Sequence, residues 1–276
     1  MSLATARSLL VATWTAYTND KAERLGAALA YYAVFSLAPL IVLALAVARM
    51  AYGEQSVRAQ QVLLDRVEGV IGPSGRDLVT NILSEAAATP GESTVAVIAG
   101  SLLLVVGATV FFARLQDAMN TIWDAPPAAP GIAGMLRSRV LSLLLVLGVG
   151  VGLVASLVLS VWVSSLAAGV GGAWGLYLAE RAGTLLVLSG LCAVLFRVLP
   201  DTAVQWHDVW MGAIGTAVLL SLGTSGMGWY LGQTAAVSAY GAAGALAALL
   251  LWIYYAAQIF FLGAEFTTVY AAHRRS

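Results

Sequence analysis

The uncharged run from Ala27 to Val47, AALAYYAVFSLAPLIVLALAV, places the first constraint on what this chain can fold into. About twenty consecutive apolar residues, wound as a helix, cross the hydrocarbon core of a bilayer. The run is not uniformly apolar. Tyr31, Tyr32, Ser36 and Pro39 lie within it, and Arg24 stands just before it. Tyr32, Ser36 and Pro39 follow one another at i, i+4 and i+7, so they share one helix face. Pro39 leaves the carbonyl of Phe35 without its usual N–H partner and favours a kink. A polar, kinked stripe suits a span that lines a cavity and equally one that packs on polar neighbours; both readings stay open. Ala46-Val47-Ala48 resembles a leader cleavage site. The run is too long for a leader's apolar region, however, and follows a mixed-charge segment, so it reads as a retained helix.

The remaining sequence has the same character. Of 276 residues, 60% are hydrophobic and 10% charged, with a mean hydropathy of +0.87. Soluble domains carry roughly 25% charged residues, so the expectation is an all-α, polytopic membrane protein forming one membrane domain over residues 1–276. The formal net charge is zero, which supplies no basic field for a nucleic-acid partner. Cys192 is the single cysteine and can form neither an internal disulfide nor a thiolate cluster. His207 and His273 are too few and too far apart in sequence to suggest a metal site. No phosphate-binding loop or nucleophile elbow is present. No cofactor is expected, and no enzyme chemistry is indicated.

Six spans are predicted, at about 27–47, 94–112, 140–163, 182–199, 209–231 and 240–270, with amphipathic surface helices beside them. Residues 1–26 carry the stripe Leu9, Leu10, Thr13, Trp14 and Tyr17, which fits an interfacial cytoplasmic helix with Trp14 and Tyr17 at headgroup level. Residues 50–93 form the long polar segment. It reads as an extracytoplasmic pair of amphipathic helices broken at Ile71-Gly72-Pro73-Ser74-Gly75. Gly148-Val149-Gly150-Val151-Gly152 allows close helix contact in the third span. Six spans put both termini on one side. With termini in the cytoplasm, nine Lys and Arg residues fall inside and five outside, the distribution expected for that orientation.

Ionisable groups inside spans are costly and face the protein interior. Glu265, within FFLGAEFT, is the foremost of these. Gln258, seven residues earlier, lies near the same face. Tyr32, Ser36, Pro39, Gln258 and Glu265 are thus candidates for a cavity or substrate path. Arg114 and Glu265 fall at similar depth near the cytoplasmic ends of their spans, and an ion pair between them is expected, with a purely structural role as the plainer reading. Asp117 and Asn120 suit a cytoplasmic entrance and equally a solvated helix face. Tyr240-Gly241 suits a tight turn ahead of the last span.

Taken in order, several fragments carry a resemblance. They are Ala28-Leu29-Ala30-Tyr31-Tyr32 with Phe35-Ser36-Leu37-Ala38-Pro39, and Leu115-Gln116-Asp117-Ala118-Met119-Asn120-Thr121-Ile122-Trp123. Pro200 and Trp206 before Gly212-Ala213 follow, then Tyr240-Gly241-Ala242-Ala243-Gly244 and Leu262-Gly263-Ala264-Glu265-Phe266. Over nearly its whole length the chain resembles the YihY/BrkB family of bacterial inner-membrane proteins, once labelled ribonuclease BN. The resemblance implies a six-helix protein of the bacterial inner membrane. Its links to serum resistance and to lipopolysaccharide export point toward envelope lipid transport.

Three functions follow as expectations. The first is a transporter or flippase of a lipid or other envelope amphiphile, with membrane lipids as partners. The second is a non-catalytic scaffold, as a homo-oligomer or with an envelope protein partner docking on residues 50–93. The third, a ribonuclease acting on transfer RNA, rests on the old family label. It lacks the clustered metal ligands and basic track that nuclease chemistry uses.

Overall fold

The computed structural model describes residues 3–34, 60–61, 64–65, 68, 76–77, 79–81, 83–84, 107, 110–126, 172–202, 204–233 and 241–275. Among these, every regular element is helical. Helix α1 is Leu3–Asn19. Helix α2 is described over 22–34 and α3 over 110–122. Helices α4, α5 and α6 are Gly172–Val198, Trp206–Gln233 and Gly241–Arg275. Ser36, Pro39, Tyr240, Gly148–Gly152, the span at 140–163 and most of that at 94–112 lie outside the described residues.

Two segments, Arg181–Val198 of α4 and Leu246–Arg275 of α6, are long and apolar enough to cross a membrane. Helix α4 begins at Gly172, well ahead of the span placed near Ala182. It ends at Val198 because Pro200 disfavours helical backbone at the residue before it.

The chain divides into two compact units. Unit one comprises Met1–Leu25, Leu115–Ser221 and Gln258–Ser276; unit two comprises Gly26–Arg114 and Leu222–Ala257.

In unit one, α5 and α6 meet through small residues. Val209, Gly212, Ala213, Thr216 and Ala217 are buried on α5, the i, i+3, i+4, i+7 spacing of one helix face. Trp210, Met211, Ile214, Val218 and Leu219 are exposed on the same helix. An apolar exterior over a small-residue interior is the arrangement of a helix solvated by lipid. A Cβ on Gly212 would overlap the Thr267 hydroxyl and lie 2.9 Å from the Gly263 carbonyl oxygen. A Cβ on Gly263 would overlap the Thr216 hydroxyl and lie 2.9 Å from Thr216 Cβ. Each threonine hydroxyl donates to the glycine carbonyl four residues back on its own helix, Thr216 to Gly212 and Thr267 to Gly263, both at 2.7 Å. The buried hydroxyls are thereby satisfied without leaving their helix. Phe196 of α4 packs against Phe260 of α6, with ring centroids 5.0 Å apart.

Helix α1 turns Leu9, Thr13 and Tyr17 inward and leaves Leu10, Val11 and Trp14 exposed. Tyr17 is 5% exposed, against 59% for its stacking partner Trp14. The spacing of Leu9, Thr13 and Tyr17 at i, i+4 and i+8 gives the inward face.

In unit two, helical residues are described on both sides of 71–75. Arg76 reaches back to Asp65 at 2.7 Å and Glu68 at 2.8 Å. The hydrogen bonds that the Arg76 guanidinium donates to these two carboxylates hold it above its ordinary pKa.

Candidate functional site

One polar grouping in unit one surrounds Glu265. This residue is 1% exposed on α6, among the buried side chains of Phe261, Ala264 and Thr267. Its Oε1 is buried and accepts no hydrogen bond. The Asp20 carboxyl lies within hydrogen-bonding reach of Glu265, and Asp124 acts on it electrostatically. Three acidic side chains from three segments are thus gathered, one from the bend after α1, one from the end of α3 and one from α6.

The backbone that delivers the first two is unusual. Lys21 has φ 53° and Asp124 φ 46°, the left-handed region that glycine or asparagine occupies at helix ends. Asp124 closes α3 as glycine commonly does. The Ala125 N–H donates to the Asn120 carbonyl at 2.9 Å, and the Asp124 N–H to the Thr121 carbonyl at 3.2 Å. Paired bonds of this kind form a Schellman cap. Using aspartate there costs backbone energy that glycine would not, and it places a carboxylate within electrostatic range of Glu265.

Next to the cap, Asn120 and Asp201 bond reciprocally. Asn120 Nδ2 donates to Asp201 Oδ2 at 2.9 Å, and the Asp201 N–H donates to Asn120 Oδ1 at 2.8 Å. Gln116 adds contacts to the same carboxylate at 3.3 and 3.4 Å. The amides of α3 therefore grip the turn that follows α4. Trp123 Nε1 and Thr202 Oγ1 are buried near these residues in sequence, without hydrogen-bond partners. Asp117 is exposed. Of the two residues expected at an entrance, Asn120 is committed to Asp201 and Asp117 faces outward.

Gln258 has a double attachment. Its Oε1 accepts from the Tyr17 hydroxyl, and its Nε2 donates to the Glu23 carbonyl at 3.3 Å. One amide thus joins α6 to both sides of the bend at Asp20 and Lys21. In unit two, the Arg114 guanidinium lies 5.2 Å from the Tyr32 ring centroid, a cation–π contact. Arg114 and Glu265 belong to different units, so their pairing stays an expectation of the sequence.

Sequence reasoning singled out Glu265, Gln258 and Asn120, named Tyr17 only as an interfacial aromatic, and missed Asp20, Asp124 and Asp201. The repeated Gly-x-x-x-Thr in Gly212–Thr216 and Gly263–Thr267 is a small-residue signal that was available in the letters. Among the described residues, no group of three His, Cys, Asp or Glu is placed to hold a metal.

The virulence factor BrkB family model matches residues 13–276. A UPF0761 membrane protein of Stenotrophomonas maltophilia strain K279a is 31% identical over 265 residues, covering 95% of this chain and 60% of that protein. One from Xanthomonas campestris pv. campestris strain B100 is 30% identical over 268 residues, with the same coverages. The chain therefore spans about 60% of the length of these curated relatives. No solved structure matches it. The motifs, the apolar helices and the match over nearly the whole length agree, and the chain is a membrane protein of the BrkB family.

Proposed function

We propose that this is a multi-pass protein of the bacterial inner membrane, with both termini in the cytoplasm, that moves a lipid or other envelope amphiphile between leaflets. The carrying observation is the buried Glu265 with its unpartnered Oε1. A buried carboxyl oxygen without a donor lowers stability, and ionisable groups in spans mark ion or substrate paths. Packing supplies no reason for it, because Gly212, Thr216, Gly263 and Thr267 already close the neighbouring crossing. The test is reconstitution in liposomes carrying a fluorescent phosphatidylglycerol, with dithionite bleaching of the outer leaflet. Transport predicts bleaching of inner-leaflet lipid beyond protein-free vesicles, and its loss in Glu265→Gln. A wild-type protein that moves no candidate amphiphile overturns the reading.

A second reading, a scaffold that binds an envelope protein through residues 50–93, is favoured by the ion pairs with which Arg76 holds Asp65 and Glu68. Co-purification of a partner that is lost when this segment is replaced by a flexible linker supports it.

A further inference from the structure

Three helix ends in unit one carry cationic side chains that meet the start of one helix. Arg197 is in the last turn of α4, Trp206 and His207 open α5, and Arg274 and Arg275 close α6. The Arg197 guanidinium lies 4.4 Å from the Trp206 ring centroid. A guanidinium only donates, so Arg274 Nη1 donates to His207 Nε2, at 2.6 Å. Asp208 is the acid at the centre, buried and 3.3 Å from Arg275 and 3.8 Å from Arg274. Two guanidinium groups thus face one carboxylate, with a third held over the adjoining Trp206 ring, and Arg274 and Arg275 remain exposed. Beside them, Trp206 and Trp210 are each 45% exposed at the start of α5.

We propose that this junction binds the headgroup of an anionic phospholipid. Arginine forks suit the phosphate oxygens, which accept parallel hydrogen bonds. Exposed tryptophans at the end of an apolar helix sit at headgroup depth, where the ring contacts the acyl–glycerol boundary and the indole N–H remains wet. A soluble anion uses the arginines alone. A lipid uses the arginines and the tryptophans together, and the exposed Met211 and Ile214 continue the apolar surface along α5. Asp208 neutralises part of the arginine charge and tethers two of the three cations to the protein, so the guanidinium groups are held in place before a headgroup arrives.

The inference needs the membrane placement but not transport, and its readout is retention of lipid rather than movement. The purified full chain is exchanged into detergent containing equal phosphatidylglycerol and phosphatidylcholine, and the lipids that stay bound are counted by native mass spectrometry. The wild type is expected to retain phosphatidylglycerol preferentially, with little displacement by excess inorganic phosphate. Arg274→Gln combined with Arg275→Gln is expected to reduce that preference about tenfold, since each basic residue near the surface contributes attraction. Arg76→Gln, in unit two, is expected to leave it unchanged. Equal retention of the two lipids by the wild type overturns the proposal whatever the variants do. So does a folded double variant with undiminished preference. Full displacement by inorganic phosphate overturns the lipid as occupant and assigns the arginines to a soluble anion.

Discussion

Thr267 of α6 lies over Gly212 of α5 so closely that one methyl group on the glycine would overlap its hydroxyl. The relation recurs in reverse four residues along each helix, with Thr216 over Gly263. Two helices approach this closely where both contribute a residue without a side chain. Gly212→Ala and Gly263→Ala are each expected to destabilise by about 1–3 kcal/mol, the range for overpacking a closed contact. Thermal unfolding in detergent measures this. Adding Thr216→Ala to Gly263→Ala is expected to recover part of the loss, because two of the three overlapping atoms belong to the hydroxyl and methyl that alanine lacks.

Asn120→Ala removes both bonds of the reciprocal pair with Asp201 and leaves a half-buried carboxylate short of donors. A loss of about 1–3 kcal/mol is expected. Asp117→Ala, at an exposed position of the same helix, is expected to change stability by less than about 0.5 kcal/mol. Equal effects of the two substitutions on the unfolding midpoint contradict this account of Asn120.

Asp124→Gly places in the left-handed cap the residue that backbone geometry prefers. Stability is expected to rise by up to about 1 kcal/mol. If the carboxylate serves Glu265, the same substitution lowers lipid translocation while raising the melting temperature. A fall in both quantities removes the argument from backbone strain.

Glu265→Gln keeps the shape of the side chain and removes a buried ionisable group. Thermal stability is expected to hold or increase, because a buried acidic group with an unpartnered oxygen is replaced by a neutral amide. Translocation in the reconstituted system is expected to disappear. Opposite movement of stability and activity is the mark of a group kept for function. A marked drop in melting temperature with translocation intact makes Glu265 a packing residue.

The helical class with two of its apolar spans, the buried Glu265 and the family were legible in the sequence because each is written locally, as a run, a rare letter or an ordered set of motifs. The roles of Gln258 and Asn120 were not. Tyr17 and Gln258 are separated by 241 positions and Asn120 and Asp201 by 81. No periodicity carries a partner over such distances. A polar residue at the end of an apolar run fits a cavity wall and a tie between elements equally well until its partner is known. Asp124 was hidden for another reason: glycine is the residue that announces a helix end of this kind, and here aspartate takes its place.

The two-handed grip of Gln258 has a mechanical consequence. Its carbonyl end holds α1 through Tyr17, and its amide end holds the chain beyond the bend through Glu23. A twist or axial slide of α6 at this level pulls on both arms together, so the bend follows α6 as a unit. The amino-terminal helix thus acts as a pointer fixed to the shaft of the last helix, and a spectroscopic label on Ser8, exposed on α1, reads the rotation of a helix it does not belong to.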